Sequence, residues 1–374
     1  MIISVDPGGK IAGFKDLIDR SLEEKEVKGL FILSCDANGF TPEMVDPVLR
    51  EIPLPVFGGI FPGIIHGKEK MDTGTIVVGI KSAVDINIIP GLSDKNADYD
   101  EIIDREIPGL GSSRTMFVFV DSMAKRLGSF ISGLFNTFGA ELNYVGGGAG
   151  SLSMKQKPCL FTNQGLIPDS AILARLDLES GVGVSHGYKS AAGPFKATET
   201  DGNIIRSLDW KPALEVYKKF VDRNAKKRLR EDNFYDLAGT YPFGITKMGT
   251  ERVVRDPVMI GENQTLICVG EVPEGSFIDI MKGSESSLLA AAARALDRSS
   301  KAFQGDKQKA VRVFMDCISR VLFLKENFNK ELNAVYEEGI PLIGACTLGK
   351  IANSGSGYLE FYNKTAVVAQ IEAE

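Results

Sequence analysis

Histidine is almost missing from this chain. The 374 residues include two, His66 and His186, so a histidine-rich metal centre is excluded by count. The five cysteines (Cys35, Cys159, Cys268, Cys317, Cys346) are scattered and form no C-x-x-C pair. That pattern suits reduced thiols better than a disulfide framework or a zinc site. No apolar run approaches the roughly 18 residues of a membrane-spanning helix, so membrane insertion is not expected. Charge of either sign is in modest excess only: the formal net charge is -6, which argues against nucleic acid or an anionic membrane as the main partner. The opening MIISVDPGGK lacks a basic segment followed by an apolar one, and a cytoplasmic protein is the expectation. The glycine run GGGAG at 146–150 contains no G-x-G-x-x-G and no obvious helix follows it, which makes it a poor dinucleotide motif.

What the chain does have is internal repetition. VFMDCISR at 313–320 echoes VFVDSMAK at 118–125, and a fainter copy is LFILSCDANG at 30–39. After the copies at 118–125 and 313–320 apolar residues step by three and four, as on one face of a helix; the first is less regular, and Pro47 is expected to break or kink its helix. Then comes an apolar pair followed by glycine: PVFGG at 55–59, NYVGGG at 143–148 and PLIGA at 341–345. The gap of about 25 residues between acid and glycine suits one crossover helix joining parallel strands. Each copy ends in a further strand: GTIVVGI at 74–80, SAILARL at 170–176 and TAVVAQI at 365–371. The expected fold class is therefore α/β, with repeated strand–helix–strand–strand units in mixed sheets. Two domains are expected, 1–210 and 211–374. Asp209 and Ser284 are expected to cap further helices, and Trp210 to anchor packing.

Ligands of open α/β sheets collect beyond the carboxyl ends of parallel strands. Asp121 with Ser122, and Asp316 with Cys317, occupy such ends, where capping of the following helix is the plain alternative. Arg320, one helical turn after Cys317, is expected to overlook a cleft beside Gly344, Cys346 and Thr347. There its guanidinium could grip an anion in fork geometry. Gly147 and Gly148 supply turns or let a ligand approach the backbone. Cys317 could instead be a nucleophile, with Arg320 lowering its pKa and Asp316 opposing that. His186, in a β pattern, is more simply a hydrogen-bonded structural residue than a haem ligand.

The order VGGGAG, SHGYKSAAGPFKAT, DWKPALEVY, DCISR, PLIGACTLGKI resembles the FIST family, whose name joins F-box and intracellular signal transduction. The likeness spans about residues 28–205 and 212–355, and Pro212–Tyr217 (PALEVY) is its most specific match. It implies a sensory protein that binds a small ligand, amino acids among those proposed, and signals to a partner such as a kinase. Haem and nitric oxide signalling in some members makes haem on His186 the alternative to having no cofactor. No F-box, kinase, cyclase or chemoreceptor segment accompanies the motifs, which predicts a stand-alone sensor. Several positions depart from the family pattern: the loop Gly58–Ile64 replaces G-C-S-x-x-G-E, Ile64 and Lys350 stand where an acid is usual, Ser151 where Asp is, and Ser319 where glycine is. If those acids hold a ligand's ammonium group, an ordinary amino acid should not bind here; an anionic metabolite on Arg320 is the expectation. A non-catalytic sensor is the leading reading, and a cysteine-dependent enzyme using Cys317 the alternative.

Overall fold

The structure, a computed structural model, describes residues 1–107, 109–246, 252–353 and 357–373. The first repeat runs β1 (Ile2–Asp6), α1 (Ile11–Glu23), β2 (Gly29–Cys35), α2 (Pro42–Leu49), β3 (Val56–Phe61), a hairpin of β4 (Ile64–His66) and β5 (Glu69–Met71), and β6 (Thr75–Ile80). The second has the same order: β7 (Val84–Pro90), α3 (Tyr99–Glu106), β8 (Thr115–Asp121), α4 (Leu127–Phe138), β9 (Asn143–Ala149), the hairpin β10 (Leu160–Thr162) and β11 (Gly165–Ile167), and β12 (Ser170–Leu176). The third begins with β13 (Ser180–Ser185) and is then interrupted. The interruption carries β14 (Lys189–Asp201), β15 (Ile204–Leu208), β16 (Lys211–Pro212), α5 (Ala213–Asn224), α6 (Phe234–Thr240), β17 (Phe243–Ile245), β18 (Val253–Ile260), β19 (Leu266–Val269) and β20 (Phe277–Lys282). The repeat resumes with α7 (Glu285–Ala302), β21 (Ala310–Cys317), α8 (Ile318–Leu324), α9 (Phe328–Val335), β22 (Leu342–Thr347), the hairpin β23 (Lys350–Ala352) and β24 (Glu360–Tyr362), and β25 (Ala366–Glu372).

Each repeat builds a mixed six-stranded sheet in one spatial order: β1-β6-β2-β3, β7-β12-β8-β9 and β13-β25-β21-β22, completed by a hairpin. The central pair β2/β3, β8/β9 or β21/β22 is parallel, and the last strand of the repeat lies antiparallel beside the first of that pair. The completing hairpin never comes from the same repeat. β10 pairs with β3, β23 with β9 and β4 with β22, so the three repeats exchange hairpins in a cycle. The inner sheet faces meet in one core, where Phe31, Phe57, Phe117 and Phe119 stack on one another. The outer faces carry the helices, with Val118 and Val120 against Phe130 of α4 and Phe314 against the α7 and α9 residues Leu288 and Phe328.

The interruption closes on itself. β14 pairs with both β20 and β15, and the order β14-β20-β17-β18-β19-β15 forms a six-stranded antiparallel ring with β16 at its side. Its core is separate and holds Tyr217, whose hydroxyl donates to the Tyr241 carbonyl at 2.7 Å. The division expected at 210/211 falls inside this barrel, between β15 and α5. Ser284 does cap α7. Asp209 accepts the Lys196 N–H of β14 and does not cap α5, and Trp210 is 81% exposed and anchors nothing. No helix among the described residues is long and apolar enough to cross a membrane.

Candidate ligand site

The carboxyl ends of β8 and β21 open onto one cleft of about 1230 Å³. The second repeat supplies Ser122–Ser132 residues at the start of α4, the third supplies Cys317, Ile318, Ser319 and Leu348, and the barrel supplies Ile204, Ile245, Met259 and Cys268. The walls carry apolar side chains that the fold leaves uncovered: Leu152, Met154, Tyr235 and Met259 are all exposed. Charged groups around it are mostly acids, Asp100, Asp201, Glu271 and Glu360, against Lys125 and Arg255. Arg255 is buried and donates to the carbonyls of Glu271 and Phe361, tying the barrel to the third repeat.

Cys317 and Thr347 are paired across β21 and β22, as are Asp316 and Cys346, so the strand ends meet as the sequence predicts. Cys317 stands at the N-terminus of α8 and is almost wholly buried. Asp121 does not cap α4, whose N-cap is Arg126; its carboxylate accepts the Met123 and Asp169 N–H groups and the Gln156 amide and so ties the turn after β8 to the loops around it. Ser122 faces the cleft, and its buried hydroxyl has no hydrogen-bond partner.

Arg320 is not where the anion-binding expectation puts it. It is fully buried and turned away from the cleft. Nε donates to Glu331 at 3.0 Å, Nη1 to the carbonyls of His186 and Lys364, and Nη2 to the Leu288 carbonyl and to Glu331; Asp316 lies 3.2 Å from Nε. The physical reason is competition. Two carboxylates, from β21 and α9, and three carbonyls, from the turn after β13, from α7 and from the turn before β25, converge on the fork, which leaves none of it for a ligand. Burial, the charge of Glu331 beside it and the opposing pull of Arg320 leave the Asp316 carboxyl well above its ordinary range. Burial likewise raises Glu331, with Arg320 opposing.

The glycines are backbone contacts. A Cβ on Gly344 would lie 1.9 Å from the Phe314 carbonyl oxygen of its parallel neighbour; the equivalent Gly146 and Gly58 show 2.0 Å to Val118 and 1.9 Å to Ile32. Gly147 and Gly148 are closed off by the Gly349 and Leu348 carbonyls, each 2.5 Å from an added Cβ. Cys346 and Thr347 are buried, and the Thr347 hydroxyl donates to the Asp316 carbonyl at 3.1 Å. Of the ten expected site residues, Ser122 and Cys317 line the cleft, and the other eight form the frame behind it.

Sequence reasoning passed over the barrel wall and two buried lysines. Lys364 pairs with Asp256 at 2.9 Å, both almost fully buried. Lys350 is fully buried with its ammonium beside the Cys317 sulfur and no hydrogen bond of normal geometry. The signal for Lys350 was present as a base where the family pattern has an acid. Of the other departures, Ile64 is core, and the Ser151 hydroxyl donates to Asp36 at 2.6 Å.

His186 lies elsewhere, on a smaller cleft of about 680 Å³. Its Nδ1 accepts the Tyr188 N–H at 2.9 Å, the structural role that the sequence favours. The cleft walls there combine Tyr188, Ala191 and Ala290 with Lys189, Lys282 and Arg294.

Two family models match the chain: the FIST N domain over residues 29–211 and the FIST C domain over residues 213–353. The join between them falls within the barrel, immediately before α5. No curated protein matches the chain significantly.

Proposed function

The chain belongs to the FIST family, and from that premise we propose that it is a non-catalytic sensor that binds a small organic molecule in the cleft between its second repeat, third repeat and inserted barrel. FIST domains are sensory domains of signal transduction. The observation that carries the assignment is the set of uncovered apolar side chains, Leu152, Met154, Tyr235 and Met259, turned into one concave space from separate elements. Binding sites combine such walls with a few placed polar groups, and Ser122 supplies one. The ligand is mainly apolar and neutral or cationic in its polar part. Arg320, on which an anion would have relied, is engaged internally, and acids outnumber bases around the cleft. Ligand seated between barrel and repeats would change how firmly the two are held together, a motion that a partner such as a kinase could read. A thermal-shift screen of a metabolite library tests this. Hits should lose their stabilisation in Met259→Glu and Leu152→Glu, both exposed positions where the fold tolerates charge. Hits that survive both substitutions would place binding outside the cleft.

A further inference from the structure

A buried ammonium without a carboxylate is costly, by several kcal/mol after relaxation. Lys350 is close to that position. It begins β23, is fully buried, and its ammonium has no hydrogen-bond partner; the Asp316 carboxyl that acts on it is already paired with Arg320, and Lys364 on the neighbouring turn has Asp256. The group beside the Lys350 ammonium is the Cys317 thiol, which is also a wall of the cleft. Across the same cleft the Ser122 hydroxyl is buried and unpaired. We propose that Cys317 and Lys350 form a covalent capture site for α,β-unsaturated carbonyl compounds with an apolar body. The inference rests on the cleft being the ligand site.

Burial pushes the Cys317 thiol up. The Lys350 ammonium beside it, the charge of Lys364 and the Ser319 N–H outweigh it, so the net direction is down. Burial lowers Lys350, while Cys317 and Asp316 pull it up, and the net direction is again down. The other ionisable groups facing the thiol are Asp316, which opposes the thiolate, and Tyr188 and Tyr235. The Lys350 ammonium beside Sγ favours the thiolate, the form of the thiol that attacks carbon. In the reaction Sγ gives an electron pair to the β-carbon and the C–S bond forms. The C=C π pair moves to the α-carbon as an enolate, whose oxygen the Ser122 hydroxyl can hold. The proton stored on Lys350 then passes to the α-carbon. The S–H has added across the double bond; nothing leaves and nothing is oxidised. A peroxide would make no use of the apolar walls, which is why a carbon electrophile is favoured.

The molecule contains its own control. Cys268 lines the same cleft, but burial and Asp256 push its thiol up. Cys35, at the position equivalent to Cys317 in the first repeat, donates to the Met71 carbonyl, and its thiol is pushed up to about 12, mostly by burial.

Full-length protein is treated with trans-2-nonenal at neutral pH and followed by intact mass and peptide mapping. One addition at Cys317 with Cys268 unmodified is expected, slowed about tenfold in Lys350→Met because the thiolate is lost. Since Lys350→Met could fail to fold, iodoacetamide labelling of the unaltered protein against pH is the second arm. Its Cys317 midpoint should lie below the roughly 8.5 of a free thiol. A midpoint at or above that value, or adducts at Cys268 or surface residues without Cys317, overturns the proposal. A low midpoint without a nonenal adduct also overturns capture, while leaving the cleft itself to the thermal-shift test.

Discussion

Removing the Arg320 guanidinium would leave Asp316 and Glu331 beside one another, both buried and without the cation that pairs with each of them. Arg320→Met should therefore cost about 3–5 kcal/mol in denaturant unfolding, the range for breaking a buried pair from one side. Arg320→Lys should recover little of it, because a lysine cannot reach two carboxylates and three carbonyls at once. Asp316 behaves differently. Its carboxylate oxygens make no hydrogen bond, and burial and the charge of Glu331 raise its pKa, so a neutral amide should replace it at little cost. A carboxyl raised in the folded state binds more protons there than in the unfolded chain. Its contribution is then fully present below the ordinary carboxyl pKa and is lost as pH rises through the folded value. Asp316→Asn should cost within about 1 kcal/mol at neutral pH and flatten the decline of stability that sets in above about pH 4. A loss as large as that of Arg320→Met would mean that Asp316 is ionised and paired. None of this was legible from VFMDCISR alone, since the partners that claim Arg320 come from residues 186, 288, 331 and 364.

At the scale of elements, the strands and crossover helices of the repeat were legible because they follow from local signals. Apolar runs, three-and-four spacing and a glycine after each crossover recur in order along the chain. The reason for the glycine is register. Gly58, Gly146 and Gly344 stand directly opposite Ile32, Val118 and Phe314 on the parallel strand, where a Cβ has no room. Alanine at any of the three should lower stability by on the order of 3 kcal/mol, since overpacking against backbone cannot be relieved by a rotamer change. Alanine at Gly67 or Gly111, where an added Cβ meets nothing, should cost only the positive φ, about 1 kcal/mol. Equal losses at all five in thermal unfolding would show that steric exclusion is not what the repeat preserves. The hairpin exchange was not legible. β4, β10 and β23 have three residues each, and a strand so short carries no pattern that names its partner; the meeting of three sheets decides it.

The whole molecule is a three-sheet body with a barrel inserted into its third repeat, and the two ends of the insertion lie side by side. Lys189 pairs with Lys282 at the stem, and an added Cβ on Gly187 would sit 2.4 Å from the Ser287 carbonyl. The sequence hid this arrangement because β13 and α7, which pack together, are separated by residues 186–284. The geometry makes the body separable. Replacing Lys189–Lys282 by a short Gly-Ser linker leaves every strand of the three sheets and every Arg320 partner in place. The excision removes Asp256, so Lys364 would be left as a buried cation; Lys364→Met is needed in the same protein. That variant should unfold cooperatively in a calorimeter, at a lower Tm than the intact chain, because Arg255 no longer bridges to Phe361. It should also lose every ligand-induced shift, since one wall of the cleft has gone. Ligand shifts that persist would confine binding to the repeats, and a broad, non-cooperative transition would show that the barrel is a structural part of the body instead of an addition to it.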